Sequence, residues 1–277
     1  MGTYVDEFRG TDDLYIAKVL IDDENGYTCD TPIKLAPVAE ISKTVAVASE
    51  TKYYDNGPAF TINAEGADTI TLNVPALDLA TLALITGKGY DAVNGALLDG
   101  ESTPPYFALG YRLGLTDGTY RYVWKLKGTF QIPNETSQTK DAGTDSQGQQ
   151  LTYTAVETLH KFTHAVDADG NAMTQKSFVI DARDSHAVLT SFFTQVTTCD
   201  NVTTKQSYTL SITQATGTTV TVVRNGQAIT AADTLYAGDV LTVTCTGGTM
   251  TLNGTAFTSG GTHTVAANVA IVSTKTT

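Results

Sequence analysis

His160 and His164 lie four residues apart, a spacing at which two imidazoles could share a metal ion. A zinc-hydrolase helix needs Glu directly after the first histidine, but Lys161 stands there and the surrounding run is strand-like. Two surface histidines are the simpler reading. Asp167-Ala168-Asp169-Gly170 begins like a calcium loop, yet the later ligand spacing and the distant Glu are missing, so a hairpin turn is expected. Asp184, Ser185 and His186 are the residue types of a nucleophilic triad, but immediate neighbours cannot reach triad geometry. Capping of a helix by Asp184 or Ser185 explains them better. Gly87-Lys88-Gly89 lacks the upstream Gly and following Ser/Thr of a phosphate loop. Cys29, Cys199 and Cys245 are odd in number and scattered, which predicts three free buried thiols rather than disulfides or a zinc site. Nothing here makes a catalyst: no catalytic residue, metal or cofactor is expected.

The strongest pattern is structural. Phe107, Leu109, Tyr111, Leu113 and Leu115 occupy every second position, and so do Tyr120, Tyr122, Trp124 and Leu126 beyond Asp117-Gly118. Alternate strand residues face opposite sides, so each arm should present one apolar and one wet face. Asp-Gly suits a two-residue type I′ turn, which predicts Tyr111 opposite Trp124 and Leu109 opposite Leu126. Arg112, Arg121, Lys125 and Lys127 then form a basic outer face, either solvated or available to a partner.

Residues Leu77–Gly87 read as a short helix starting at Asp78 and stopping at Gly87. A second helix is expected after Asp184 or Ser185, presenting Val188, Leu189, Phe192, Phe193 and Val196. Strands are expected over 151–162 and 177–182. Residues 133–150 lack apolar periodicity and read as a long functional or mobile loop. The polar run 197–206 marks a boundary, with 1–200 as one domain and 201–206 as linker. Beyond it, short Thr/Val-rich strands separated by turn signals predict a small immunoglobulin-like β-sandwich over 207–277. Fold similarity of that kind names no ligand.

Of 277 residues, 41% are hydrophobic and mean hydropathy is −0.08. No apolar run reaches the roughly 18 residues of a membrane helix. The acidic start Met1–Glu7 lacks the features of a signal peptide. Residues 207–277 balance Arg224 and Lys275 against Asp233 and Asp239, so the whole net charge of −12 lies in residues 1–206. Such a surface argues against tight nucleic-acid binding, which neutralises phosphates with cations.

Pro105–Gly110 followed by Arg121–Phe130 resembles the major tail protein of long-tailed phages of Gram-positive hosts, the family that builds the tail tube. Tyr15–Val19 is similar to its first strand. Tyr54-Asp55-Asn56-Gly57-Pro58-Ala59 is similar to its acidic hairpin tip, and Ile70–Val74 running into Leu77–Gly87 to its strand-to-helix unit. The resemblance spans about residues 1–200. It implies a mainly β, antiparallel β-sandwich domain that forms barrels, with one or two short helices, a C-terminal module decorating its outside. Function is then structural: hexameric rings stack into a DNA-conducting tube, in the virion tail and in the host cytoplasm during assembly. Implied partners are further copies of the chain and the tape measure, tail terminator and distal tail proteins. DNA passes without specific binding, and no membrane is involved. Residues 207–277 leave a glycan or cell-surface contact open. Implied assembly residues are Tyr53, Tyr54, Asp55, Asn56, Gly57 and Pro58 at the tip, and Arg112, Arg121, Lys125 and Lys127 on the basic face. Tyr53 and Tyr54 could equally be core edge. Segments 49–68 and 133–150 would reach neighbouring subunits, and excess acids would line lumen and outer wall. Two other functions fit the composition: a tube protein of a contractile or secretion machine, and a secreted adhesin or carbohydrate-binding protein.

Overall fold

The computed structural model describes residues 5–55, 57–134 and 148–276. It divides into two compact units, Met1–Val202 and Thr203–Thr277. The polar run 197–202 belongs to the first, where Thr197 and Thr198 are buried.

The first unit is mainly β. Its elements are β1 (Phe8–Asp23), β2 (Gly26–Cys29), β3 (Ile33–Lys34), β4 (Glu40–Tyr54), β5 (Gly57–Val74), α1 (Leu79–Thr86), β6 (Gly89–Asp91) and β7 (Ala96–Leu98). Then follow β8 (Phe107–Leu115), β9 (Tyr120–Phe130), β10 (Gln149–Val156), β11 (Phe162–Val166), β12 (Ala172–Met173) and β13 (Ser177–Asp181). The main sheet runs β2-β1-β8-β9-β10-β5-β4, all antiparallel. It forks at β9, whose residues 121–125 pair with β13 while 127–130 pair with β10. One core joins Leu14, Ile16, Ile70, Leu72, Leu109 and Tyr153 from both halves of this sheet, with Leu82 and Ile85 of α1. A second core covers the other face of β1, β8 and β9 with Phe162, Phe192 and Val196.

The 107–130 hairpin exists, but its expected register does not. Leu115 N donates to Thr119 O at 2.9 Å, closing a three-residue loop in which only Gly118 takes positive φ, 83°. The Asp117 carboxylate accepts from Thr119 N at 2.9 Å, and Asp117 stays out of the left-handed region that type I′ requires. That extra loop residue shifts the pairs from Gly114 with Tyr120 to Leu109 with Lys125 by one, so Tyr111 faces Val123 and Gly110 faces Trp124; a bulge beyond Leu109 restores the expected phase where Phe107 meets Gly128. Alternation holds within each strand, but the two apolar sets point to opposite faces. Leu109 and Tyr111 enter the first core, Trp124 and Leu126 the second. The hairpin is a buried wall between two cores. It has no wet face along its middle.

Helix α1 has the expected ends. Asp78 accepts from Thr81 N and Gly87 takes the left-handed conformation at φ 72°. The second expected helix is a single 3₁₀ turn, Leu189–Ser191, followed by turns. The strand expected over 151–162 breaks after Val156 and resumes as β11. Of segment 49–68, residues 49–54 and 57–65 belong to paired strands rather than a loop, and residues 135–147 of the other expected loop lie outside the described residues.

The second unit comprises β14 (Ser207–Tyr208), β15 (Leu210–Thr213), β16 (Thr219–Arg224), β17 (Gln227–Ile229), β18 (Leu235–Tyr236), β19 (Val240–Thr246), β20 (Gly248–Leu252), β21 (Thr255–Phe257), β22 (Gly261–Thr264) and β23 (Val269–Lys275). Two four-stranded sheets, β15-β23-β20-β21 and β17-β16-β19-β22, close over one core containing Val222, Leu241, Val243, Val269 and Ile271. Asn225-Gly226 and Asn253-Gly254 supply paired positive φ angles for tight hairpins.

Candidate assembly surface

β4 and β5 are the longest hairpin in the chain. Over its lower part β5 also pairs with β10, at residues 68–74. Beyond Asp68 that support ends, and strand residues 47–65 pair only with each other. A bulge between Val45 and Val47 marks the departure. The result is an arm, a two-stranded ribbon carrying Val47, Tyr53, Tyr54, Phe60 and Ile62 in exposed positions. Tyr53 is 69% and Tyr54 62% exposed, so neither is core edge. Tyr54 stacks on Phe60 with ring centroids 6.0 Å apart. Tyr54 pairs with Gly57 and Tyr53 with Pro58, which puts the turn where expected. Asp55 takes φ 50° there; Asn56 lies outside the described residues.

The expected basic face is not a face. Arg112 pairs with Asp12 and Asp13 and lies over the Tyr120 ring. Arg121 binds Asp181 through Nε at 2.6 Å and Nη2 at 2.8 Å. Lys125 is only 3% exposed and donates to Asp68 at 2.6 Å; Lys127, 8% exposed, donates to Asp22 at 2.5 Å. The hairpin is covered on both sides along its middle, so Lys125 and Lys127 meet carboxylates of their own chain instead of water, while Arg112 and Arg121 are paired within the chain but stay part-exposed.

The Asp68 cluster sits where the sheet forks and the arm departs. Lys176 reaches Asp68 at 3.2 Å, Glu65 at 2.8 Å and the Gly66 carbonyl at 2.7 Å, tying β13 to the arm's base. Burial pushes the Asp68 carboxyl up, but Lys125 and Lys176 outweigh it and hold it below the ordinary carboxylate range. Asp22 behaves alike: burial opposes ionisation, while Lys127 and the His160 and Leu159 amides more than offset it. Sequence reasoning missed both buried pairs. Their only trace was lysine placed among aromatics in a strand otherwise fit for a core.

The face of β10, β5 and β4 turned away from the first core is open. Its cross-strand pairs are Thr154 with Thr69, Thr152 with Thr71 and Gln150 with Asn73. Gln150 donates to Asn73 at 3.3 Å, and Asn73 to Glu40 at 2.8 Å. Ser42, Thr44 and Thr129 extend the same surface.

The other candidate residues form no site. His164 meets Asp200 at 3.0 Å, and that carboxylate also accepts from the Thr163 and His164 amides. Burial works against its ionisation, but these donors prevail and lower it to about 2. His160 stands edge-on to Phe162 at 5.0 Å and is half-buried, so it is not a surface histidine. Asp167 accepts from Asp169 and Asn171 amides in a turn closed by Gly170 at φ 85°. Ser185 accepts from Ala187 N and caps no helix. The three thiols are free, but only Cys245 is fully buried. Burial raises Cys29 and Cys199 to about 11, leaving them unreactive near neutrality. No metal-binding group of three or more His, Cys, Asp or Glu occurs among the described residues, and no described helix is long and apolar enough to cross a membrane. In the second unit the aromatics Tyr208, Tyr236 and Phe257 are all half-buried.

No protein-family model matches the chain, and no curated protein matches it. One similar solved structure is the cap that terminates the tube of the anti-feeding prophage, determined by cryo-EM. It shares 13% identity at a TM-score of 0.34, over 66% of this chain and 97% of that one.

Proposed function

We propose that this chain is the subunit of a phage-type tail tube, assembling through its sheet edge and arm into stacked hexameric rings. The observation that carries the reading is β4, a 15-residue strand at the outer edge of the main sheet that runs on into an exposed apolar arm. A long free edge is an aggregation hazard that proteins normally block, cover or use. Pairing edges between copies around a closed barrel removes them, and the arm then has a neighbour to cover Tyr53, Tyr54 and Phe60. The ordered motifs of residues 1–200 support the same reading. In it the protein is a passive conduit with no catalytic step, joining tape measure, terminator and distal tail proteins within the virion. The second unit is an appended immunoglobulin-like module.

Negative-stain microscopy and sedimentation velocity on the full chain test this. Rings or tubes are expected at high concentration. The triple variant Tyr53→Ser, Tyr54→Ser, Phe60→Ser should keep its melting temperature and stay monomeric. A wild-type chain that remains monomeric at every concentration overturns the reading. A triple variant that assembles like wild type removes the arm from it.

A further inference from the structure

We propose that Lys176 is a positioning residue for assembly, its ammonium straddling the bend at the base of the arm and fixing the direction in which the arm leaves the sheet. The inference rests on the tube reading and deepens it. A long two-stranded ribbon that must meet a neighbour needs something to aim it beforehand, and Lys176 is placed to do so.

The bend is built into β5. Val45 faces Asp68 and Val47 faces Glu65, so Gly66 and Ala67 together oppose Ala46 alone. A bulge of this kind leaves one residue outside the ladder, bends the strand and sharpens its twist. The two strands stay close there, since a Cβ at Gly66 would lie 3.2 Å from that of Ala46. Pairing between β5 and β10 ends at Asp68, just before the bend. An isolated two-stranded hairpin is only marginally stable in water, so its own ladder does little to hold the arm in one direction.

Lys176 removes that freedom. It stands directly before β13, and its carbonyl accepts from Leu126 N at 3.1 Å, so its main chain is rooted on β9. An ammonium has three donors, and here each has an acceptor. Glu65 at 2.8 Å and the Gly66 carbonyl at 2.7 Å lie at and beyond the bulge, and Asp68 at 3.2 Å lies on the sheet side of it. Lys125 holds Asp68 from within the sheet at 2.6 Å. The side chain of Lys176 is only 11% exposed, which strengthens these charge-assisted bonds against water. A neighbour that accepts the arm in one direction binds more weakly by the fraction of subunits so aimed, and a pre-aimed arm avoids that loss.

The test reads arm direction and assembly separately in the full-length chain. Spin labels at Glu50→Cys on the arm and Lys161→Cys on the body, with the three native cysteines replaced by serine, give their separation by pulsed dipolar spectroscopy at concentrations below assembly. With Lys176 intact one narrow distance is expected. Lys176→Met should broaden it, and Glu65→Ala, at an exposed position, should broaden it less. In unlabelled chains the concentration at which tubes appear should rise roughly tenfold in Lys176→Met while the cooperative melting transition is kept. A distance as narrow in Lys176→Met as in its parent overturns the proposal, and so does a parent that is already broad. Tubes of Lys176→Met at the wild-type concentration overturn it as well. If Lys176→Met loses its melting transition, Glu65→Ala decides by the same two readouts. A wild-type chain that never forms tubes counts against the tube reading, and the distances still decide whether Lys176 aims the arm.

Discussion

Gly110 makes room for the indole of Trp124, its partner across the hairpin. A Cβ at Gly110 would lie 2.8 Å from the ring. The indole cannot easily retreat, because it is wholly buried and its Nε1 donates to the Phe192 carbonyl at 3.0 Å. Gly110→Ala should therefore cost about 1–3 kcal/mol through overpacking, read by urea denaturation. Trp124→Ala should cost about 3–5 kcal/mol through the cavity it leaves. The two defects share one space, so in the Trp124→Ala background the added methyl should cost little or even help. Strict additivity in that double-mutant cycle would show that the contact does not matter. The alternation around this pair was plain in the sequence, and the glycine was only a gap in it. What alternation could not show was the relative phase of the two strands, which one loop residue at Asp117-Gly118 decides.

Elements whose ends rest on local chemistry were legible, as α1 shows with Asp78 and Gly87 at its caps. The segment after Ser185 was not, although its apolar residues repeat at helical spacing. There side chains take over backbone partners: Thr194 and Thr197 hydroxyls donate to the carbonyls of Ser191 and Phe192, and Asn201 to that of Val196. The arm tip was readable, but its departure from the sheet was not, since it depends on where β10 stops. The Asp68 cluster at that junction is the element's weak point. Asp68→Ala leaves Lys125 and Lys176 facing each other and should cost about 3–5 kcal/mol. Lys125→Met should cost less, because Lys176 still neutralises the carboxylate. Asp68 and Asp22 are both depressed in the folded protein. Their stabilisation is therefore complete above the unfolded value of about 4 and is lost as pH falls through the lower folded values. The urea midpoint should hold steady from neutrality to about pH 5 and drop below about pH 4. Asp68→Ala should flatten that drop; an unchanged acid limb would mean that other carboxylates control it.

At the scale of the whole molecule, composition alone separated an acidic part from a neutral one near residue 200, and the compact units divide at Val202. Each unit has its own core: Leu14, Ile70 and Tyr153 belong to one of the two in the first, Leu241, Val243 and Ile271 to that of the second. A segment with its own closed core pays its ordering entropy from its own burial, so the two should fold separately. Residues 1–202 and 203–277, made as separate chains, should each unfold in one cooperative transition, and 1–202 should still form tubes. Acid should then tell them apart. The first fragment carries the depressed, lysine-paired Asp22 and Asp68, whereas in the second Asp233 is depressed by the Thr230 amide and hydroxyl in a local turn that holds no sheet together. Between pH 7 and 4 neither midpoint should move far; below about pH 4 the first should fall faster, so the full chain should show two transitions that spread apart with acid. A single shared transition at every pH, or a 1–202 fragment that cannot fold alone, would mean that the units hold each other up and that the module is part of the wall.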